Sequence, residues 1–286
     1  MPTPFADGEV DTRAIGHNIG LWLRAGCGGI VALGSNGEAP FLDEAESDRV
    51  IDAARGAVPR GRVLIAGTGR ESTRATIDAS RRAAALGADA VLVRTPSFFK
   101  ARMTPDAFVR HYTMVADASP VPVLLYNFPA VTGVNLLPET AARLSAHPNI
   151  LGMKESSSDI AQIAGLVDAV PAAFSVIAGS APAFYASLVV GARGGILAAA
   201  CVVPALCVRV LDAVIAGRHA EARECQRRLS PLARLVTGVH GVPGLKAAMD
   251  LCGYVGGQPR MPLAPIAPEG IEQIRAELAR VQQEVV

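Results

Sequence analysis

Aromatic residues make up only 5% of the sequence, with a single tryptophan. Stacking platforms for nucleic-acid bases need more than that. Excess charge is also missing: 27 lysines and arginines face 26 acidic residues, for a formal net charge of +1. So balanced a chain is not expected to partner nucleic acid or an anionic membrane surface. The five cysteines, Cys27, Cys201, Cys207, Cys225 and Cys252, form no C-x-x-C pair and are odd in number. They read as reduced, buried, small apolar residues of a cytoplasmic protein. The five histidines, His17, His111, His147, His219 and His240, lack metal-ligand spacing with each other or with cysteine, so no metal is expected. There is no secretory pattern at the N-terminus and no apolar run of membrane-spanning length. A G-x-G-x-x-G turn followed by a spaced acid is absent too, which argues against a dinucleotide cofactor.

What the chain does have is alternation. Short buried-strand patterns recur at 28–33, 63–67, 90–93, 121–126, 150–154, 174–178 and 194–198, each followed by an amphipathic helical pattern. Helices are expected near 11–24, 72–86, 160–170, 183–190 and 204–216, with others opening near Leu42, Thr104 and Pro138. Strands that alternate with helices in this way make a parallel sheet covered by helices. Seven strands are one short of a (β/α)₈ TIM barrel. The expectation is therefore an α/β fold, a (β/α)₈ barrel over 1–217 with its first strand truncated before Thr3. A C-terminal helical extension over 218–286 follows it.

The strand over 150–154 ends in a lysine, Ile150-Leu151-Gly152-Met153-Lys154, and Glu155-Ser156-Ser157-Ser158-Asp159 leads into a helix. At that edge the stem of Lys154 is dry and its nitrogen faces a pocket. Desolvation disfavours an ammonium, so such a lysine offers a nucleophilic amine that forms Schiff bases with ketones. A lysine that merely snorkels at a strand end fits the same residues. In a barrel, the strand ends deliver Thr3, Ser35, Asn36, Thr95, Tyr126, Lys154, Ser156 and Ser180 to one rim. Tyr126, one strand before the lysine, is the natural acid–base group, or else a solvated rim tyrosine. Ser35 and Asn36 precede a helix and could hold a carboxylate, although Ser-Asn-Gly is also a common turn.

Three motifs in order carry a family resemblance. They are Gly34-Ser35-Asn36-Gly37-Glu38, Tyr126-Asn127-Phe128-Pro129 with Thr132-Gly133, and Gly152-Met153-Lys154-Glu155-Ser156. With them the chain resembles the dihydrodipicolinate synthase / N-acetylneuraminate lyase family of Schiff-base aldolases from Thr3 to Leu263. Within that family the greatest similarity is to the 4-hydroxy-2-oxoglutarate aldolases, through stretches such as His147 to Lys154 and Gly241 to Lys246.

The resemblance implies a cofactor-free lyase that cleaves 4-hydroxy-2-oxoglutarate to pyruvate and glyoxylate. Lys154 is then the Schiff-base lysine and Tyr126 the proton shuttle. Ser35, Asn36 and Ser156 hold the carboxylate of a small 2-keto acid, and Gly179 and Ile196 complete the substrate pocket. It also implies a homotetramer built as a dimer of dimers. Another pyruvate-type lyase of the family, dihydrodipicolinate synthase-like or a sugar-acid aldolase or dehydratase, is the alternative. So is a weakly catalytic member that binds a keto acid.

The chain departs from the family's pattern at three side chains. Phe99 stands where the family has a tyrosine that crosses a subunit interface to the catalytic tyrosine. Arg94 precedes Thr95 where a small or apolar residue is expected, and it either binds a substrate carboxylate or forms a helix-facing salt bridge. Val131 replaces the arginine that grips the second substrate of the synthases.

Overall fold

The computed structural model describes residues 1–283. A short antiparallel hairpin, β1 (Phe5–Ala6) and β2 (Glu9–Val10), comes first, followed by α1 (Thr12–Arg24), β3 (Gly29–Ala32) and α2 (Glu44–Ala57). The alternation runs on through β4 (Val63–Gly67), α3 (Thr73–Ala85), β5 (Ala90–Arg94), α4 (Pro105–Ala118) and β6 (Val123–Asn127). After the single turn α5 (Pro129–Thr132) come α6 (Pro138–Ser145), β7 (Ile150–Glu155), α7 (Ile160–Ala169), β8 (Ser175–Ala178) and α8 (Phe184–Val189). Four helices follow: α9 (Pro204–Ile215), α10 (His219–Ala233), α11 (Gly241–Leu251) and α12 (Pro268–Gln283). The sheet strands follow chain order, β3-β4-β5-β6-β7-β8. Such an order, with helices between parallel strands, is the pattern of a TIM-barrel-like α/β fold.

Local chemistry sets the helix starts. Asp11, Ser72, Thr104 and Asp159 each accept the backbone N–H three residues on, and Asp43 and Glu46 form a reciprocal capping box. These caps satisfy N–H groups that the first turn leaves without partners.

The chain divides into two compact units. Residues 64–196 form one of them. Its strands β5 to β8 are paired in parallel, and Leu92, Val93, Leu125 and Met153 are buried in its core. Helices α3, α4, α6 and α7 pack in succession against one another and against the strands. The strand expected at 194–198 is reduced to one parallel bridge, Ala178 to Gly195, held by Ile196 N–H on the Ala178 carbonyl at 2.9 Å. Ala198–Cys201 turns into a short 3₁₀ helix instead.

The other unit joins residues 1–63 to 197–286. The Met1 amino group donates to the Val31 carbonyl of β3 at 2.6 Å, so the first residues lie beside that strand. Asn18 of α1 exchanges two hydrogen bonds with the backbone of Val255, at 2.8 and 2.9 Å. A charged cluster ties its two segments together. The Lys246 ammonium is 2.5 Å from the Glu38 carboxylate, and both side chains are inaccessible to solvent. Arg260 donates its backbone N–H to Glu38 at 2.7 Å and clamps both Glu46 oxygens with its guanidinium. The Phe5 ring lies 4.5 Å from Lys246 Nζ and 4.2 Å from Arg260 Cζ. Burial lowers the pKa of Lys246, opposed by the Glu38 carboxylate.

Candidate active site

In the 64–196 unit, strand register decides which side chains meet. Residues paired across parallel strands point to the same face of the sheet. Arg94 pairs with Tyr126, Tyr126 with Lys154, and Lys154 with Ile177, so these four form one row across β5 to β8. The row brings Lys154 Nζ to 4.3 Å from the centre of the Tyr126 ring. Lys154 is 7% exposed and Tyr126 4%, so amine and phenol share a nearly dry environment at the ends of their strands. The Tyr126 ring also stacks on Phe128, centroids 6.0 Å apart.

The alternate face carries a polar lock that sequence reasoning missed. Glu155 follows Lys154 and therefore points the other way. Its buried carboxylate accepts from Asn127 Nδ2 at 2.8 Å, Gln162 Nε2 at 3.0 Å and the Ser157 N–H at 2.6 Å. Asn127 also donates to Asn135 at 2.7 Å and accepts from the Leu136 N–H at 2.9 Å. A buried carboxylate surrounded by donors is satisfied, and it fixes its partners in place. This network fastens the end of β6 to the end of β7, which holds Tyr126 and Lys154 in register. Asn127 and Glu155 stood inside the family motifs, and their position next to the tyrosine and the lysine was the available signal.

Ser156 is buried, and its hydroxyl has no protein partner. Gly179 is the reason it fits: a Cβ there would overlap Ser156 Oγ and stand 3.0 Å from the Glu155 carbonyl. The Gly179 N–H donates to that carbonyl at 2.7 Å. A buried hydroxyl left without a partner is costly unless a ligand completes it. Thr95, also buried, has the same unpartnered hydroxyl, one residue beyond the Arg94–Tyr126–Lys154 row. Ile196 marks the bridge beside β8, its N–H bound to Ala178. Lys154, Tyr126, Ser156, Gly179 and Ile196 thus all lie in the 64–196 unit.

Ser35 and Asn36 belong to the other unit. They open a 3₁₀ turn over Ser35–Gly37 that ends at Glu38 in the left-handed region, φ 56°. Thr3 Oγ1 donates to the Gly37 carbonyl at 2.7 Å, and the Glu38–Lys246 pair anchors the turn from behind.

Arg94 forms an ion pair with Glu71, 2.7 Å between Nη1 and Oε1. Glu71 Oε2 also accepts the N–H groups of Ser97 and Phe98, each at 2.8 Å. Burial raises the pKa of Glu71, but those two N–H groups and Arg94 together outweigh it, and the carboxyl lies below its ordinary range. Phe98 and Phe99 are 78% and 69% exposed and pack edge to face, 5.0 Å between centroids. Val131 is exposed on α5, and Lys100 Nζ would be 2.9 Å from a Cβ placed on Gly133. No group of His, Cys, Asp and Glu suited to a metal ion is found among the described residues. Nor is any described helix long and apolar enough to cross a membrane.

The sequence matches the dihydrodipicolinate synthetase family over residues 1–281. The chain belongs to that family. The curated relatives of this family member include synthases and an aldolase. A 4-hydroxy-tetrahydrodipicolinate synthase from Geotalea uraniireducens is 36% identical over 265 residues, covering 93% of this chain and 91% of the relative. A mitochondrial protein from Emericella nidulans, named a probable 4-hydroxy-2-oxoglutarate aldolase, is also 36% identical, over 273 residues, with 93% and 88% covered. Among solved structures, the dihydrodipicolinate synthase of Acinetobacter baumannii complexed with pyruvate has a TM-score of 0.93 and 30% identity. That match covers 98% of this chain and 96% of the other. The family is of the synthase and aldolase type, and this chain is a lyase.

Proposed function

We propose that this family member is a class I aldolase that cleaves 4-hydroxy-2-oxoglutarate to pyruvate and glyoxylate. The observation that carries the reading is the Lys154 amine 4.3 Å from the Tyr126 ring, both nearly dry, beside a buried Ser156 hydroxyl with no protein partner. In this mechanism Lys154 Nζ attacks the C2 ketone, and loss of water gives an iminium. Tyr126 takes the proton from the C4 hydroxyl as the C3–C4 bond breaks, and the iminium receives the electron pair. Glyoxylate leaves and the enamine takes up a proton at C3. Hydrolysis then frees pyruvate and regenerates the lysine. The Ser156 hydroxyl donates to the C1 carboxylate, which supplies the partner it lacks in the protein. The same part expected of Ser35 and Asn36 rests on the sequence resemblance.

Relatives named as synthases reach 38% identity and one named as an aldolase 36%, so the choice of aldolase rests on Val131 rather than on similarity. Valine offers no donor for the carboxylate of aspartate semialdehyde, and a bidentate arginine contact is not replaced by a methyl group. Two assays test the reading. Borohydride reduction with pyruvate is expected to add one pyruvate-derived mass to the peptide holding Lys154, and Lys154→Ala is expected to abolish both adduct and turnover. In coupled assays, glyoxylate release from 4-hydroxy-2-oxoglutarate is expected to exceed consumption of aspartate semialdehyde. The opposite order moves the chain to the synthase side of the family.

A further inference from the structure

4-Hydroxy-2-oxoglutarate has a second carboxylate at the end far from the Schiff base. In this chain Val131 offers no cation to meet it. We propose that Arg94 binds that distal carboxylate and selects 2-oxo acids with a second acid group. The inference rests on the aldolase reading above and adds the residue that determines its substrate class.

Register places Arg94 where this requires. It pairs with Tyr126, which pairs with Lys154, so the guanidinium springs from the same face of the sheet as the amine and the phenol. Neighbouring strands lie about 4.8 Å apart, so the Arg94 and Lys154 backbones are separated by about 10 Å. A five-carbon substrate on the lysine and an arginine side chain together bridge that gap. Gly69 leaves room for the Arg94 stem: a Cβ there would stand 2.6 Å from the Arg94 backbone nitrogen and 2.7 Å from its Cγ.

The guanidinium is held but not used up. Its two protein contacts, to Glu71 at 2.7 Å and to the Thr95 carbonyl at 3.3 Å, both involve Nη1. Arginine has five N–H donors. Nε and Nη2 have no protein partner among the described residues, and the side chain is 30% exposed. Glu71 aims the guanidinium and stays satisfied when a ligand shares it, because the Ser97 and Phe98 N–H groups also serve its carboxylate. Glu71 cancels much of the long-range charge of Arg94. The gain is therefore in the paired N–H geometry that a carboxylate matches and a neutral group does not. Lys100 lies over Gly133 and not in the row.

The test compares kcat/KM for 4-hydroxy-2-oxoglutarate with that for 4-hydroxy-2-oxopentanoate, in which a methyl group replaces the distal carboxylate. The readout is the ratio of the two in the wild type, Arg94→Leu, Arg94→Lys and Lys100→Ala. Arg94→Leu is expected to lower the diacid preference by about 10–100-fold, the usual worth of hydrogen bonds to a charged group. Arg94→Lys is expected to restore part of it, since the charge remains and the fork is lost. If Arg94→Leu fails to fold, Arg94→Lys still gives a ratio that must lie below the wild type. An unchanged ratio in these variants, or a fall confined to Lys100→Ala, overturns the proposal while the aldolase reading stands. A wild-type protein that cleaves neither substrate and traps no pyruvate on Lys154 overturns both.

Discussion

His111 offers a quantitative test of how the 64–196 unit is built. The imidazole is 6% exposed on α4, and its Nδ1 is 2.9 Å from the Thr73 hydroxyl. Nε2 is buried with no protein partner. Burial pushes its pKa down from 6.5 to about 4, and the nearby Glu71 carboxylate opposes this only in part. Protonation would put a charge in the core beside an Nε2–H that has no acceptor. The unfolded chain binds a proton near pH 6.5 and the folded chain only near pH 4, so between those values unfolding takes up a proton. Stability from this residue is complete above pH 6.5 and is lost as the pH falls towards 4. Working the two pKa values through the linkage relation gives a loss of about 2 kcal/mol between pH 7 and pH 5. The lowered carboxyls Glu46 and Glu71 add their own losses only below about pH 4.5, where the unfolded groups begin to protonate. Urea unfolding of the wild type and of His111→Gln at pH 7 and pH 5 isolates the effect. The glutamine variant keeps a polar group for Thr73 but does not titrate. Its stability is expected to fall less than the wild type's over that interval, by about 2 kcal/mol. Equal losses in the two proteins refute the reasoning.

Two further outcomes probe the site itself. Tyr126→Phe keeps the ring against Lys154 and removes the proton carrier, so kcat is expected to fall by about 10²–10⁴ while borohydride still labels Lys154. Loss of labelling instead would mean that the phenol is needed to form the Schiff base. Gly179→Ala puts a methyl group onto Ser156 Oγ and is expected to cost about 1–3 kcal/mol in thermal unfolding and to raise KM for the keto acid. An unchanged KM would remove Ser156 from the substrate contacts.

Much of this was legible because it is local. The helix starts at Thr12, Thr73, Pro105 and Ile160 follow caps that can be read directly, Asp11, Ser72, Thr104 and Asp159. Lys154 and Tyr126 stood out as polar residues that end apolar runs, and the register of β6 on β7 brings them together. Register itself is a property of paired strands and is not written in either strand alone. The placement of Arg94 beside Tyr126 is therefore not legible in the sequence, and of its two expected contacts the structure shows the salt bridge, to Glu71. Glu155 was hidden for the opposite reason. A buried carboxylate is rare, and its three donors, Asn127, Ser157 and Gln162, come from separate elements. The apolar residues of 194–198 predict a strand. Its leading Gly194-Gly195 weakens a strand, and only the Gly195 bridge forms.

The Glu38–Lys246 pair has a consequence for synthesis of the chain. Residue 246 follows residue 38 by 208 positions (246 − 38), and Arg260 comes later still. A ribosome adding about 5–20 residues per second takes roughly 10–40 s to cover that distance. For that time the nascent chain carries a carboxylate destined for a dry interior with no cation yet made to meet it. The 64–196 unit is one continuous stretch, whereas residues 1–63 share a unit with the last third of the chain. A message broken before codon 246 would leave Glu38 without the cation it meets in the folded chain, and a carboxylate buried unpaired costs several kcal/mol.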